Sequence, residues 1–424
     1  MKASRRSRGW VLAVTALGSV ATATGAQERP TTLSLDDVVQ EARQANPMLR
    51  AARLHADAAA SRVSQVGALP DPGVSFSLRN RPLDGFGTAE RMTMNSFQLR
   101  QTLPWPGKLG FAEDRQAHLA VAAQLNAVES EAALVSRVKA IYFEIAYMDR
   151  ALEIMRGTQD LLREFLDVSN TLYAVGTGLQ VDVLQAQVAV AGMMEDITVV
   201  GQQRIAMAAR LNALRGRDAR VLVGELELGA PDEGLPTVDE LVVLAEEARP
   251  ALQAAKEIVR AAESGVDAAR RAFYPDFNLS AEYSQRPEFT DMVSLSLGFS
   301  IPLWAGSRQG PAREEAIAVQ AMQEAVYRDL VNETFARIAE AHAEAERARR
   351  LSTLYATSIV PQARAAVESS LSAYRVGEVD FMTLVQNELT VNRYEIETVR
   401  LAASYQAAVA SLEALVGGPL EQTP

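Results

Sequence analysis

The chain carries one stretch of sequence twice, as SLDDVVQEARQANPML at residues 34–49 and as TVDELVVLAEEARPAL at residues 237–252. Each copy begins with a hydroxyl residue that can cap a helix, and an acid follows three residues later, as in a capping box. Glu240 fits that box fully, whereas Asp37 is its weaker variant. The pair therefore predicts two equivalent helices at the start of an internal repeat.

Four more pairs of segments follow in the same order and at nearly the same offset. They are Leu69-Pro70-Asp71-Pro72 with Tyr274-Pro275-Asp276, Leu103-Pro104-Trp105 with Ile301-Pro302-Leu303-Trp304, Tyr173-Ala174-Val175-Gly176 with Tyr374-Arg375-Val376-Gly377, and residues 209–216 with residues 410–417. Such agreement indicates a duplication. The predicted divisions are a first repeat over 27–216, a linker or equatorial segment over 217–236, a second repeat over 237–417, and a C-terminal tail over 418–424.

The first 26 residues have the order of a secretory signal peptide. Four basic residues between Lys2 and Arg8 precede an apolar run from Trp10 to about Val20, and small residues then lead to Ala26. The run is too short to span a membrane, which takes about 20 residues. No later segment reaches that length without charges, so we expect an exported protein with no transmembrane helix.

Charge and cysteine usage exclude several classes of function. The formal charge is -11, and removing the signal peptide would take away four basic and no acidic residues. An exported acidic chain is a poor candidate for binding nucleic acid. The chain has no cysteine, which excludes disulfides, thiolate metal sites, a cysteine nucleophile and a lipid anchor on an N-terminal cysteine.

Each repeat is predicted to hold a helix, a β-hairpin and a pair of long helices. The first helices are expected at about 35–69 and 238–272, where prolines end them. The hairpins are expected at about 73–103 and 276–302, because apolar and polar residues alternate there with a period of two. That alternation is typical of membrane barrel strands, and equally of a soluble hairpin with one face on a core.

Residues 108–172 and 308–373 are rich in alanine, glutamate and arginine and lack a loop-like break, apart from Pro361 and a glycine at the similar position, Gly157. A continuous helix of that length would extend roughly 100 Å. We therefore predict a coiled coil or a barrel of helices, with turns at Gly176 and Gly377 and return helices at 179–215 and 380–416.

Counting strands gives a conditional argument for an oligomer. One chain supplies four strands, and a membrane strand cannot leave an open edge in lipid. Two chains would give eight strands, whose interior is filled by side chains, whereas three would give twelve and room for a conduit. The tryptophans after the signal peptide, Trp105 and Trp304, follow equivalent strand ends, where an aromatic girdle at a membrane interface is expected.

With its paired hairpins, long helices and Tyr-x-x-Gly turns, the chain resembles the TolC family of outer-membrane efflux proteins over residues 34–417. The resemblance implies a mainly α fold with a small β part, as a trimer with a twelve-stranded outer-membrane β-barrel joined to a periplasmic α-helical barrel. It also implies a periplasmic adaptor and an inner-membrane pump, of the RND type, as partners. The segment Gln101–Lys108 further resembles the CzcC-like branch that serves heavy-metal efflux.

The resemblance implies roles for the two turns. They would contact the adaptor through Tyr173, Val175, Gly176, Thr177, Tyr374, Val376, Gly377 and Glu378; the alternative, less favoured because both repeats keep the same spacing, is that both glycines are ordinary helix caps. Asp182 and Thr383 lie six residues past the glycines, where family members line a constriction. Three copies of Asp182 would form an acidic ring that favours cations, or Asp182 is only a first-turn acid. Asp380 would compensate in part for Thr383.

No catalytic constellation is apparent. His55, His118 and His342 are widely separated, and the methionine pairs Met92/Met94 and Met193/Met194 suit packing better than soft-metal binding. We therefore expect no enzyme activity, no cofactor and no stable metal site. The leading hypothesis is a passive efflux channel for metal cations or drugs in the Gram-negative outer membrane. The alternatives are a periplasmic coiled-coil scaffold or adaptor, and the outer-membrane conduit of a protein secretion system.

Overall fold

The computed structural model describes residues 33–83, 87, 90–229 and 234–420. The predicted signal peptide lies outside the described residues, as does part of the predicted C-terminal tail. The helices are α1 (Leu35–Ala45), α2 (Pro47–Gly67), α3 (Lys108–Ala174), α4 (Gln180–Leu214), α5 (Val238–Ala248), α6 (Pro250–Arg271), α7 (Gln309–Leu354), α8 (Val360–Arg375) and α9 (Phe381–Val416). The strands are β1 (Gly73–Arg79), β2 (Met94–Leu103), β3 (Asp276–Gln285) and β4 (Met292–Ser300).

The single helix predicted at the start of each repeat is wrong, because each is broken in two by its internal proline. Asn46 and Arg249 precede Pro47 and Pro250, and both adopt an extended conformation, with ψ of 120° and 119°. A proline disfavours the α conformation in the residue before it, so the chain turns there. Asn46 then caps α2 by accepting a hydrogen bond from the backbone N–H of Leu49 at 3.0 Å.

The capping difference between the repeats is confirmed. Thr237 accepts a hydrogen bond from the backbone N–H of Glu240, and the Glu240 carboxylate accepts one from the backbone N–H of Thr237. In the first repeat the Ser34 hydroxyl accepts from the backbone N–H of Asp37 and donates to its carboxylate at 2.7 Å. The shorter Asp37 side chain thus accepts a hydrogen bond only from the Ser34 hydroxyl. The Glu240 side chain accepts from both the hydroxyl and the backbone N–H of Thr237.

The long helix of the first repeat is continuous, and that of the second is interrupted. α3 runs for 67 residues through Gly157 without a break. Its counterpart is divided by a π-helical turn at Tyr355–Ile359, just before Pro361. A proline removes one backbone donor and its ring clashes with the carbonyl four residues earlier, and a wider turn relieves that clash. The predicted break at Pro361 is therefore a local widening of one long helix.

The four strands form one antiparallel sheet in the order β1-β2-β3-β4. The two hairpins join through β2 and β3, where Leu99 lies opposite Ala281 and Gln98 lies opposite Glu282. The outer strands, β1 and β4, have no strand partner on their outer edges within the described chain. The duplicated hairpins are thus arranged side by side, with repeat one against repeat two.

The core is built both within each repeat and between the two repeats, with α3 at its centre. α3 packs on α2 and α4 of its own repeat and on α6 and α9 of the second. Ala345 and Ala348 of α7 are fully buried against α9, where small side chains let the two helices approach closely. The segment after α4 lies across this bundle, since Val223 and Leu226 are buried and the Arg204 guanidinium donates to the carbonyls of Val223 and Gly224.

By length and composition alone, one described helix could cross a membrane. This is α4, and 17% of its most apolar 18-residue window is buried inside the chain. It also packs along α3, where Met193 and Ala186 contact Leu162 and Phe165. The same apolar composition is expected of a helix whose outer face is covered in an assembly. Length and composition therefore do not establish α4 as a membrane-spanning helix.

Candidate functional site: the helix tips and the amphipathic sheet

The two turns at the ends of the long helices share a pair of backbone hydrogen bonds. At the first, the N–H of Gly176 donates to the carbonyl of Tyr173 at 3.1 Å, and the N–H of Thr177 donates to the carbonyl of Leu172 at 3.0 Å. At the second, Gly377 and Glu378 donate to Tyr374 and Ala373 at 3.1 and 3.0 Å. This pair of bonds is the Schellman motif of a helix C-terminus.

Both turn glycines are required by conformation, with φ of +79° at Gly176 and +78° at Gly377. A Cβ at either would have no atom within 4 Å, so neither glycine makes a close approach within the chain. The neighbouring valines project outward, because Val175 is 67% exposed and Val376 is 70% exposed. Each tip therefore presents an apolar side chain beside a rigid turn.

The carboxylates that follow the two turns occupy different positions. Asp182 lies in the first turn of α4, whose N-cap residue Leu179 contributes no side-chain hydrogen bond. Asp380 is itself the N-cap of α9, where it accepts from the backbone N–H of Thr383 at 3.1 Å and also from the Thr383 hydroxyl. These bonds from Thr383 hold the pKa of Asp380 below its usual value. Either position suits a negative charge at a helix N-terminus.

The structure brings Asp182 of the first tip close to Tyr374 of the second. Burial raises the pKa of Tyr374, which also hydrogen-bonds Ser169 and lies in the field of Asp182. Its ring packs on Phe381 with 5.5 Å between the ring centroids. The equivalent Tyr173 is 50% exposed. The matching tyrosines therefore have unlike surroundings, one linking the two tips and the other facing outward.

The sheet has one apolar and one polar face, as the period-two pattern predicts. The apolar face is exposed, and its rows include Leu99, Ala281 and Leu295 side by side. The polar face carries side-chain hydrogen bonds between strands, such as Thr102 to Asn278 at 2.9 Å. A water-soluble hairpin would bury its apolar face, whereas this face is uncovered by any described part of the chain.

Trp105 and Trp304 differ in their ring contacts and in their exposure. The Trp105 ring stacks on Tyr274 and Phe277, with centroid distances of 5.1 and 5.5 Å. Trp304 follows the outer strand β4 and is 77% exposed. Equivalent sequence positions therefore have one partnered and one unpartnered indole, because β2 has β3 beside it and β4 has no following strand.

Comparison with known proteins identifies the family. The family model of the outer membrane efflux proteins matches residues 38–217 and again residues 241–418, so it covers both repeats. The chain belongs to this family. It is an outer-membrane channel of the efflux type, and proteins of this family work with a periplasmic adaptor and an inner-membrane pump.

Relatives of this channel include the pyoverdine export outer membrane protein OpmQ of Pseudomonas putida, which is 24% identical over 92% of this chain and 87% of its own length. The putative multidrug resistance outer membrane protein MdtQ of Shigella flexneri is 22% identical over 74% of this chain and 70% of its own. The chain is similar in fold to the outer-membrane channel OprN, with a TM-score of 0.79, 17% identity, and coverage of 92% of this chain and 91% of that one. It is also similar in fold to the outer membrane protein VceC from Vibrio cholerae, with a TM-score of 0.78 and 19% identity. That match covers 91% of this chain and 97% of VceC.

A groove in the channel wall was not anticipated from the sequence. It lies between α3, α8 and α9 and is lined by Gly157, Thr158, Arg364, Glu388 and Glu395, among others. Glu388 is only 6% exposed, and its carboxylate makes no hydrogen bond with described residues. The sequence does contain a pattern that predicts a buried Glu388. This residue shares one helical face of α9 with the buried Leu384, Val385 and Val391.

The histidines and methionines do not assemble a site. His118 lies 2.7 Å from a carboxylate oxygen of Glu257 and joins α3 to α6. Met193 is buried in the core, whereas Met194 is 53% exposed. Among the described residues, no three carboxylate, histidine or cysteine side chains are close enough to hold a metal ion.

Proposed function

We propose that three copies of this chain form one passive conduit through which an RND-type pump and its adaptor export small solutes. The observation that carries this proposal is the sheet, whose exposed apolar face ends at two unpaired edges. Such edges are untenable in lipid unless other strands pair with them. Three copies supply twelve strands, which is wide enough for a channel. The long helices would continue the conduit through the periplasm.

The tips are proposed as the adaptor-contacting end. Val175 and Val376 expose apolar surface beside turns that are fixed by backbone hydrogen bonds, and a preformed apolar contact suits docking. Asp182, together with Asp380 and Thr383, would line the narrow end. Three Asp182 carboxylates around an axis would attract cations and repel anions.

The cargo is proposed to be a small solute, either a drug-like compound or a metal cation. The names of the curated relatives refer to pyoverdine export and multidrug resistance. The resemblance of Gln101–Lys108 to the heavy-metal branch favours metal cations instead. Since energy and selection would come from the pump, no catalytic step is assigned to this chain.

The proposal is tested in a strain that lacks this gene, by growth on zinc, cobalt, copper and a panel of drugs and detergents. Wild-type protein should restore growth on at least one class and should fractionate with the outer membrane. Val175→Asp together with Val376→Asp should abolish the rescue and leave the amount of outer-membrane trimer unchanged. Leu222→Asp, at a 95% exposed position outside the tips, is the matched control and should rescue fully. A wild-type protein that is recovered as a soluble periplasmic monomer would contradict the channel.

A further inference from the structure

The groove between α3, α8 and α9 has more acids than bases among its lining residues. Two arginines and four glutamates line it, which gives a formal charge of -2 when all six are ionised. The uncharged lining includes four branched aliphatic side chains, and the groove has a volume of about 470 Å³. That volume lies within the range of small-molecule sites. This combination suits a small positively charged ligand with an apolar body.

Both arginines of the groove already have a carboxylate partner. Arg364 of α8 donates from Nε to Oε1 of Glu395 at 2.8 Å, and one of its Nη atoms donates to the same oxygen. Arg150 pairs with Glu153, which lies three residues further along α3. Glu388 is left without an ion pair among the described residues. The groove itself therefore supplies no cation for this carboxylate.

Glu388 also differs from the other acids of the groove in its burial. It is 6% exposed, whereas the side chain of Glu395 is 21% exposed. A carboxylate that is taken out of water needs hydrogen-bond donors or an opposite charge, and the described residues give Glu388 neither a hydrogen bond nor an ion pair. One turn further along α9, Asn392 is also 6% exposed, and its Oδ1 has no hydrogen-bond partner. This part of the wall is thus short of donors.

A glycine keeps the groove open on the side of α3. Gly157 lies inside a regular helix and its φ is not positive, so the backbone does not require a glycine there. A Cβ built on it would meet no atom within 4 Å. Gly157 shares a helix face with Ile154 and Leu161, which also line the groove. The missing side chain therefore leaves room for a ligand beside two aliphatic side chains.

We propose that this groove binds a small organic cation, whose ammonium group lies at the Glu388 carboxylate. The aliphatic body of the ligand lies against Ile154, Leu161 and Val391. A primary ammonium has three donors, so it can bond both the carboxylate and the hydroxyl of Thr158, which lines the same groove. A metal ion fits less well, since no three carboxylate, histidine or cysteine side chains of the described chain are close enough to hold one. All of these residues belong to one copy, so the site does not depend on the trimer, pump or cargo proposed above.

Calorimetric titration with hexylammonium tests the site, and 1-hexanol is the matched neutral ligand. At pH 8 in detergent, with the heat of protein-free micelles subtracted, the wild-type protein should bind hexylammonium with a Kd on the order of 1 mM. Glu388→Gln should weaken that binding about tenfold or more, and hexanol should bind the wild type as weakly. Glu164→Gln removes an exposed acid of α3 outside the groove and should bind as the wild type does. No binding by the wild type, or equal binding by Glu388→Gln, would overturn the proposal.

Gly157 gives a second test in which no charge changes. Gly157→Leu places a side chain in the groove and should abolish hexylammonium binding. Gly157→Ala adds a single methyl group and should keep most of it. Both variants replace glycine by a better helix former, so a difference between them reports on space in the groove and not on folding. Equal binding by the two variants would place the ligand elsewhere and overturn the proposal.

The pH dependence of binding tests the role of the Glu388 carboxylate. Burial raises the pKa of Glu388, and a protonated carboxyl does not attract an ammonium group. The affinity of the wild type should therefore fall as the pH is lowered from 8 to 4, a range in which hexylammonium stays charged. Titration of Glu388→Gln over the same range measures what the other charged groups facing the groove contribute, which are Arg150 and Glu153 on α3, Arg364 and Glu368 on α8, and Glu395 on α9. An affinity of the wild type that is equal at both pH values would overturn the proposal.

Discussion

Glu388 is a buried acid whose ionisation opposes folding. Burial raises its pKa, the nearby Glu395 raises it further, and Arg364 lowers it. A carboxyl whose pKa is higher in the folded than in the unfolded chain stabilises the fold at low pH. That contribution is lost as the pH rises from the unfolded pKa through the folded pKa. Glu388 therefore makes the helical wall less stable at neutral than at acidic pH.

Glu388→Gln should raise the apparent melting temperature at pH 8, with a gain in stability on the order of 1 kcal/mol. The gain should shrink toward pH 4, where the wild-type carboxyl is protonated. Circular dichroism of the detergent-solubilised protein at both pH values measures it. Glu368→Gln alters an exposed acid beside the same groove and should leave the melting temperature unchanged. Equal gains for Glu388→Gln at both pH values would contradict the titration.

Individual residues were the least predictable part of this chain. Motif matching placed Asp182 and Thr383 at equivalent positions, but the structure uses Asp380 and Thr383 together as a helix cap. The paired Tyr173 and Tyr374 likewise have different exposures. A sequence repeat preserves backbone position, whereas the surroundings of a side chain depend on which neighbours the fold brings to it.

At the scale of the elements, the exposed apolar face of the strands suits the sheet to a lipid environment. Leu295 is 79% exposed on β4 and stands in a continuous apolar row with Ala281 and Leu99. Ser294 is its neighbour in the chain and points to the opposite, polar face. Adjacent residues of one strand thus provide a lipid-facing position and its control.

Leu295→Arg should reduce the amount of protein in the outer membrane, because an arginine on the lipid face costs about 2–4 kcal/mol near the bilayer midplane. Ser294→Arg should fractionate normally, since it adds the same charge on the other face. Quantitative immunoblotting of outer-membrane fractions measures both. If both variants reach wild-type levels, the apolar face does not meet lipid.

Most elements could be predicted because their signals are periodic and local. Alternation gave four strands, and the long alanine-rich stretches gave helices within a few residues of their observed ends. The breaks at Asn46 and Arg249 were missed even though each precedes a proline, because the apolar spacing continues across them. The π-helical turn before Pro361 has no periodic signature, since it replaces a sharp break by a wider turn of the same helix.

At the scale of the whole molecule, α4 leaves several large apolar side chains exposed on the single chain. Its residues Leu184, Val188 and Ile205 are 53%, 73% and 60% exposed. A surface substitution with no partner usually changes stability by less than about 0.5 kcal/mol. A large effect at such a position therefore reveals a covering neighbour.

Val188→Asp should lower the yield of trimer by several-fold, because it would bury a charge against the next copy. Gln187→Asp introduces the same charge at the adjacent exposed residue and should assemble nearly as well. Native mass spectrometry of the detergent-extracted proteins measures the ratio of trimer to monomer. Indistinguishable ratios for the two variants would show that the α4 stripe stays uncovered.

The uncovered faces of the sheet and α4 also govern how this channel matures. A newly exported copy exposes a large apolar surface to water, and in the proposed trimer this surface is covered only after association with two other copies. By mass action, the rate of such encounters falls more steeply than the supply of copies. Halving the export rate of this protein should therefore reduce the number of assembled channels by more than half. Each unassembled copy should also depend on chaperones for longer.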